Sequence, residues 1–248
     1  MTVTSRPTAD YDPSAYPPFA VTVDIVIFTM LDSELHVLLV RRGNEPYAGK
    51  WALPGGFKTP SETLDEAAQR ELHEETAVEA TLIRQFGSYG DPGRDPRMNV
   101  VSVAYVAVVR DIGAITAGSD AAEADLYPVG AVVSGRLPLA FDHRRIILDA
   151  IDRVAHDLET TGIATAFVGP TFTLSEIRAV FEAIWDVRLD SANFRRKLNA
   201  DGDWLVPTGR RATPGADGGK PAELFKAGRA WKRGGPMRRP RAKGRTSR

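Results

Sequence analysis

Glu71, Glu74 and Glu75 lie three and four residues apart in the segment Gly55–Val78, GGFKTPSETLDEAAQRELHEETAV. At about 100° per residue, that spacing sets all three carboxylates within roughly 100° of arc on one helix face and turns Leu72 to the side. Carboxylates so placed repel each other by roughly 0.2–0.5 kcal/mol per pair, and helix propensity does not ask for the arrangement. A bound divalent cation would turn the repulsion into ligation. Arg70, beside Glu71 and four residues before Glu74, is placed to orient the cluster through ion pairs. The turn Gly55–Gly56 upstream lets backbone carbonyls approach the same ion. A solvated acidic face could also carry three glutamates, so the chemistry rests on the spacing.

Composition narrows what such a site can hold. The 248 residues contain no cysteine, which excludes disulfides, thiolate nucleophiles and cysteine-ligated zinc or iron–sulfur centres. The four histidines, His36, His73, His143 and His156, show no H-x-x-x-H spacing. Oxygen ligands and a hard cation, Mg²⁺ or Mn²⁺, are the expected pairing. With 43% hydrophobic and 26% charged residues, the chain has the profile of a globular protein of one or two domains. No apolar run approaches the ~18 residues that crossing a bilayer needs, and the N-terminus lacks the basic flank and apolar core of a signal peptide. A cytoplasmic location without a membrane partner is expected.

The elements that must position the cluster can be read from periodicity. Residues 1–18 hold four prolines and read as a flexible leader. Val21–Phe28 and His36–Val40 are β-rich runs around a polar turn, and Val100–Val109 is a third, nearly pure apolar strand. A helix begins near Ser61, which can cap it. A later helix over Phe141–Leu158 ends at Gly162. The first domain is therefore α+β or α/β. Beyond Pro170 come helices over Thr173–Trp185 and Asp190–Ala200, then short strands around Trp204–Val206 and Ala222–Phe225, the outline of a winged helix-turn-helix.

The fixed positions of the acidic segment resemble the Nudix box, G-x5-E-x7-R-E-U-x-E-E-x-G-U with U aliphatic. Gly56, Glu62, Arg70, Glu71, Leu72, Glu74, Glu75 and Val78 match, whereas Ala77 replaces the second glycine. The resemblance covers about residues 19–160. It implies a Nudix fold, a mixed sheet flanked by helices, and hydrolysis of a nucleoside diphosphate linked to another moiety, assisted by Mg²⁺ or Mn²⁺. It further implies that Glu71, Glu74 and Glu75 ligate metal with the carbonyl of Gly55, that Arg70 supports them, and that Glu71 assists as base. Glu123, in SDAAEADLYPV, is an alternative base from another loop, although an exposed loop acid would look the same. YAGKWALPGGF and YGDPGRDPR resemble Nudix proteins that handle ADP-ribose. Arg41, Arg42, Arg94 and Arg97 could then bind its phosphate or ribose groups.

Charge divides the chain. Residues 1–169 carry 14 Lys/Arg against 24 Asp/Glu, whereas residues 170–248 carry 18 against 8. A basic segment after an acidic domain points to nucleic acid, or is simply hydrated. In DSANFRRKLNA, Phe194 and Leu198 form an inward apolar pair, leaving Ala192, Asn193, Arg196 and Asn199 on the opposite face to read base edges. Arg195 and Lys197 flank that face, and Arg210 and Arg211 sit in the wing, all suited to phosphate contacts. A dimerisation appendage would fit the pattern equally. From Arg229 onward nine of twenty residues are basic and none is acidic, so 229–248 is expected to be a disordered basic tail. GPTFTLSEIRAVFEAIWDVRLDSANFRRKL with LVPTGR and KPAELFKAG resembles the winged helix of Nudix-related transcriptional regulators of NAD metabolism. That resemblance implies a Nudix domain over 19–160, a winged-helix domain over 161–228, and a dimeric repressor whose grip on operator DNA responds to ADP-ribose. A Nudix hydrolase with an accessory basic domain is the alternative, and the nearly complete box leaves hydrolysis open in either case.

Overall fold

A computed structural model of the protein describes residues 12–76, 78–110, 112, 121–200, 203–213 and 221–240. Strands β1 (Ala20–Leu31) and β2 (Glu34–Arg42) form a hairpin. Asp32 and Ser33 turn it with φ of 49° and 64°, the left-handed backbone that matches the twist of the strands. Then follow β3 (Trp51–Ala52), β4 (Gly55–Phe57), α1 (Leu64–Thr76), β5 (Leu82–Tyr89), β6 (Val100–Val108), β7 (Ala121–Pro128), α2 (Val129–Val133) and α3 (His143–Thr160). The sheet runs β3-β2-β1-β6-β5, with β4 also on β1 and β7 on β2. Strands β1 and β6 pair in parallel and the other pairs are antiparallel, so the sheet is mixed.

Alternation along β1 explains the layering. Val23, Ile25 and Ile27 join Leu38, Val103 and Tyr105 under Ala67, Ala68 and Leu72 of α1. Val26 and Phe28 point the other way, onto Ile146, Ile147, Ala150 and Val154 of α3. This second core does not stop at the sheet domain. It continues through a 3-10 turn, Ile163–Phe167, into α4 (Leu174–Trp185), α5 (Ser191–Ala200) and the hairpin of β8 (Leu205–Arg211) and β9 (Glu223–Ala227). Thr173 and Glu176 form a capping box on α4, and the buried Trp185 indole donates to the Ala155 carbonyl at 3.0 Å. Phe172 pairs with Phe225 as a short third strand of the wing.

Four expectations change. Helix α1 starts after Ser61, because Thr63 takes the cap: Glu66 N–H donates to Thr63 Oγ1 at 3.2 Å and Thr63 N–H to Glu66 at 2.7 Å. Helix α3 starts at His143, because Phe141 holds φ 50° and cannot continue a right-handed helix. Strands β5 and β7 are additional elements, the second containing Glu123. Residues 229–240 are not a disordered tail but a packed strap. Trp231 and Met237 are buried, and Trp231 Nε1 donates to the Trp204 carbonyl at 2.7 Å. Arg239 donates to the Trp185 carbonyl at 3.1 Å and, through its amide, to Glu159 at 3.2 Å. Residues 241–248, and residues 1–11 of the expected leader, lie outside the described residues.

Candidate functional site

On α1, the small apolar Ala67 and Ala68 let the helix lie close on the sheet and leave its charged face free. Arg70 gathers that face. Its guanidinium donates to Glu62 at 2.8 and 3.0 Å, to Glu71 at 2.7 Å, to Glu74 at 3.1 Å and to the Phe57 carbonyl at 3.2 Å. The hydrogen bonds from Arg70 hold Glu62 at a pKa of about 2. Glu71 differs: burial pushes its carboxyl above the ordinary value despite Arg70. Glu75 accepts the Gly55 N–H at 2.9 Å. A Cβ on Gly55 would meet the Val23 carbonyl oxygen at 2.1 Å, so only glycine lets this segment lie so close to β1.

A cleft of about 270 Å³ opens beside these groups. Glu71 and Glu75 form part of its wall, with Gly55 and Gly56 between them and β1. Arg41, Arg42, Arg94, Arg97, Phe57 and Phe141 line it too. Arg42 donates to the Pro46 carbonyl at 2.7 Å and stands 4.8 Å over the Phe141 ring. Arg97 pairs with Asp95 at 2.7 Å and lies over Phe57 and Phe141 at 5.4 and 5.9 Å. The floor is a buried polar network. Asp24 accepts from Ser102 and faces Arg94 at 3.4 Å and His143 Nε2 at 3.6 Å. Arg94 also pairs with Asp142 at 2.7 and 3.0 Å, and Leu53 N–H donates to His143 Nδ1 at 2.8 Å. Burial lowers the His143 pKa, which keeps the imidazole neutral and able to accept that bond.

The geometry sorts the expected residues. Arg41, Arg42, Arg97 and Arg94 do meet at one cleft, but the Arg94 side chain is only 5% exposed and is committed to Asp24 and Asp142, so it braces the floor. Glu123 sits on β7 rather than in a loop. It pairs with Arg41 at 3.4 Å and is not among the residues that line the cleft. Arg70 stands behind the acids and also does not line it, which makes it a positioning residue. Ala77 lies outside the described residues. Sequence reasoning missed Asp24, Phe141, Asp142 and His143. Of these only Asp24, a lone charge within VTVDIVIF, carried a signal.

Among the described residues no three acidic or histidine side chains converge on one point that could hold a metal ion. Glu71 and Glu75 share the cleft, whereas Glu74 is turned to the Arg70 nitrogen that also holds Glu71. The donor chemistry, carboxylate oxygen, fits a hard divalent cation at Glu71 and Glu75, and Glu74 can join once it leaves Arg70. Gly55 engages Glu75 through its N–H.

The second surface is on α5. Phe194 and Leu198 are buried, while Asn193, Arg195, Arg196, Lys197 and Asn199 are exposed. Asn193 accepts from Arg196 at 2.7 Å. Arg210 and Arg211 are exposed at the end of β8, beyond Gly209 at φ 70°.

A model of the NUDIX domain matches residues 18–150. The chain belongs to the Nudix family. A model of the NrtR DNA-binding winged helix domain matches residues 165–227. The chain is 31% identical over 196 residues, 78% of each sequence, to the ADPR responsive transcriptional repressor NtrR of Acinetobacter baylyi. It is 40% identical over 131 residues, 52% of this chain and 72% of the relative, to an ADP-ribose pyrophosphatase of Methanocaldococcus jannaschii. Shewanella oneidensis NrtR in complex with a 27mer DNA superposes with a TM-score of 0.70 at 33% identity, covering 84% of this chain and 93% of that one. Thus the cleft lies within the Nudix domain, α4, α5 and the wing lie within the NrtR winged helix, and the strap after Gly228 extends past both matched spans.

Proposed function

We propose that this Nudix protein is an ADP-ribose-responsive repressor that binds operator DNA near genes of NAD metabolism as a homodimer. The observation that carries the reading is the join: a cleft with arginines and carboxylates shares one core with a winged helix whose exposed face is basic. The Acinetobacter repressor, by its name, responds to ADPR, and the Shewanella relative was crystallised on DNA. Arg41, Arg42 and Arg97 meet the diphosphate of the ligand. Asn193, Arg196 and Asn199 face base edges in the major groove, and Arg195, Lys197, Arg210 and Arg211 face phosphates.

Coupling has a physical path. Strand β2 carries Arg41 and Arg42 at the cleft and also packs against α4. A ligand can release DNA only by binding the DNA-incompetent arrangement more tightly, so ADP-ribose must bias how the two winged helices of a dimer sit relative to each other. Gel-shift titrations with and without saturating ADP-ribose test this. Equal operator affinity in both would end the reading.

Hydrolysis is the second reading, favoured by the retained carboxylates and the similarity to the pyrophosphatase. Glu71 and Glu75, with Glu74 once released, would hold Mg²⁺ or Mn²⁺, which supplies neutralisation of the diphosphate charge and a more acidic water. Glu71, its pKa raised by burial, is the best-placed proton acceptor, and Arg70 keeps it aimed. AMP release from ADP-ribose, compared with Glu74→Gln and Glu75→Gln, tests this reading. Release unaffected by both would remove the box from the chemistry.

A further inference from the structure

Away from the cleft, a cavity of about 350 Å³ lies between the start of β5 and the turn that follows α3. Its walls include Thr81, Arg84, Arg110, Thr161 and Thr165, and among the described residues no carboxylate lines it. Two cations thus share a hollow with no acid among its described lining residues. Behind Arg84 is Asp157, whose side chain is 4% exposed. That carboxylate is already held by Arg153 at 3.0 Å, while Arg84 stands 3.6 Å from the other oxygen, which has no hydrogen-bond partner. Arg84 is therefore only loosely committed. Arg110 Nε is buried and also has no hydrogen-bond partner among the described residues. A buried guanidinium N–H without an acceptor is costly, and Arg84 and Arg153 share the one carboxylate of Asp157, which leaves a local excess of positive charge.

We propose that this cavity is a second ligand site, which takes a small phosphate-bearing anion between Arg84 and Arg110. Guanidinium groups suit phosphate because their fixed fork matches its oxygens. The hollow of about 350 Å³ has room for a small anion. The site also has a place in the mechanism of the chain. The turn Ile163–Phe167 forms one wall and packs on its other side against α4, so an anion here stabilises the junction between the Nudix domain and the winged helix.

The test uses the full chain and inorganic phosphate, at constant ionic strength set with chloride. Thermal unfolding midpoints are measured against phosphate concentration for the wild type, Arg84→Gln, Arg110→Gln, Arg110→Lys and the cleft variant Arg42→Ala. The site predicts a saturable rise in the wild type and in Arg42→Ala. It predicts apparent affinity about tenfold weaker in each glutamine variant, with part of it kept in Arg110→Lys. Arg84 is 43% exposed, and its loss leaves Arg153 on Asp157, so Arg84→Gln folds and gives a clear answer. A wild-type response that is absent, that survives both glutamine variants, or that vanishes in Arg42→Ala overturns the proposal. So does a short duplex of arbitrary sequence that loses affinity in both glutamine variants while phosphate itself shifts nothing, since the arginines would then be DNA contacts.

Discussion

A Cβ on Gly56 would sit 2.2 Å from Glu71 Oε1. The box glycine is thus the space in which the buried carboxylate rests, with Arg70 also holding it. Gly56→Ala should drive Glu71 off Arg70, lower stability by about 1–3 kcal/mol through overpacking, and cut any AMP release or ADP-ribose affinity about tenfold or more. Urea unfolding and calorimetric titration check both halves. Wild-type stability together with wild-type ligand affinity would show that the contact does not matter.

Arg94→Ala should be more damaging to the fold than to any ligand. The guanidinium is buried between Asp24 and Asp142, which raise its pKa against the opposing effect of burial. Removing one partner leaves carboxylates without compensation at a cost of about 3–5 kcal/mol. Denaturant midpoints measure the loss, and a drop no larger than that of Arg97→Ala would contradict the assignment.

His143 predicts the direction of a pH effect. Its folded pKa lies below the ordinary 6.5, so in that window the unfolded chain binds the proton more readily than the folded one. The stability it supports is whole above that value and is lost as the pH falls below it, toward the folded pKa. His143→Asn keeps an acceptor for the Leu53 amide without titrating, so its stability should change less between about pH 7.5 and 5.5. A steeper slope in the variant would place the effect elsewhere.

Trp231 anchors the strap. Truncating it to alanine should cost about 3–5 kcal/mol by opening a cavity against Trp204 and Phe181. Thermal melts followed by tryptophan fluorescence report it, and a shift below that of an exposed-residue control such as Lys232→Ala would mean that the strap contributes nothing.

Arg196→Ala and Lys197→Ala should weaken operator binding in different ways. Loss of a base-reading side chain costs about 1–3 kcal/mol and relaxes specificity, whereas loss of a phosphate contact lowers the salt slope by about one and spares sequence preference. Binding isotherms on matched and scrambled operators separate the two. Identical profiles for both variants would refute the division of roles on α5.

What could be read from the sequence was local. The three glutamates and Arg70 lie within two turns of one helix, so their shared face follows from helical periodicity alone. Phe194 and Leu198 did the same for α5. The cleft floor was hidden because its partners are distant in the chain: Asp24 and Arg94 are 70 residues apart, Arg94 and Asp142 48. Arg94 looked like a ligand arginine for that reason. Strand β5, LIRQFGSY, is a partly exposed edge strand with no clean alternation. The strap looked disordered on composition, yet Trp231 and Met237 supply the two buried anchors that its arginines obscure. Phe141, with φ 50°, carries no sequence mark of its conformation.

The second hydrophobic core runs without interruption from Val26 in the sheet to Trp231 in the strap. Neither half has an interior of its own on that side. Calorimetry should therefore show one melting peak for the described body instead of two, and a cavity carved beneath the nucleotide half would be felt at the operator as lost repression. Swivelling of the reading head about a slack tether is closed to such a chain.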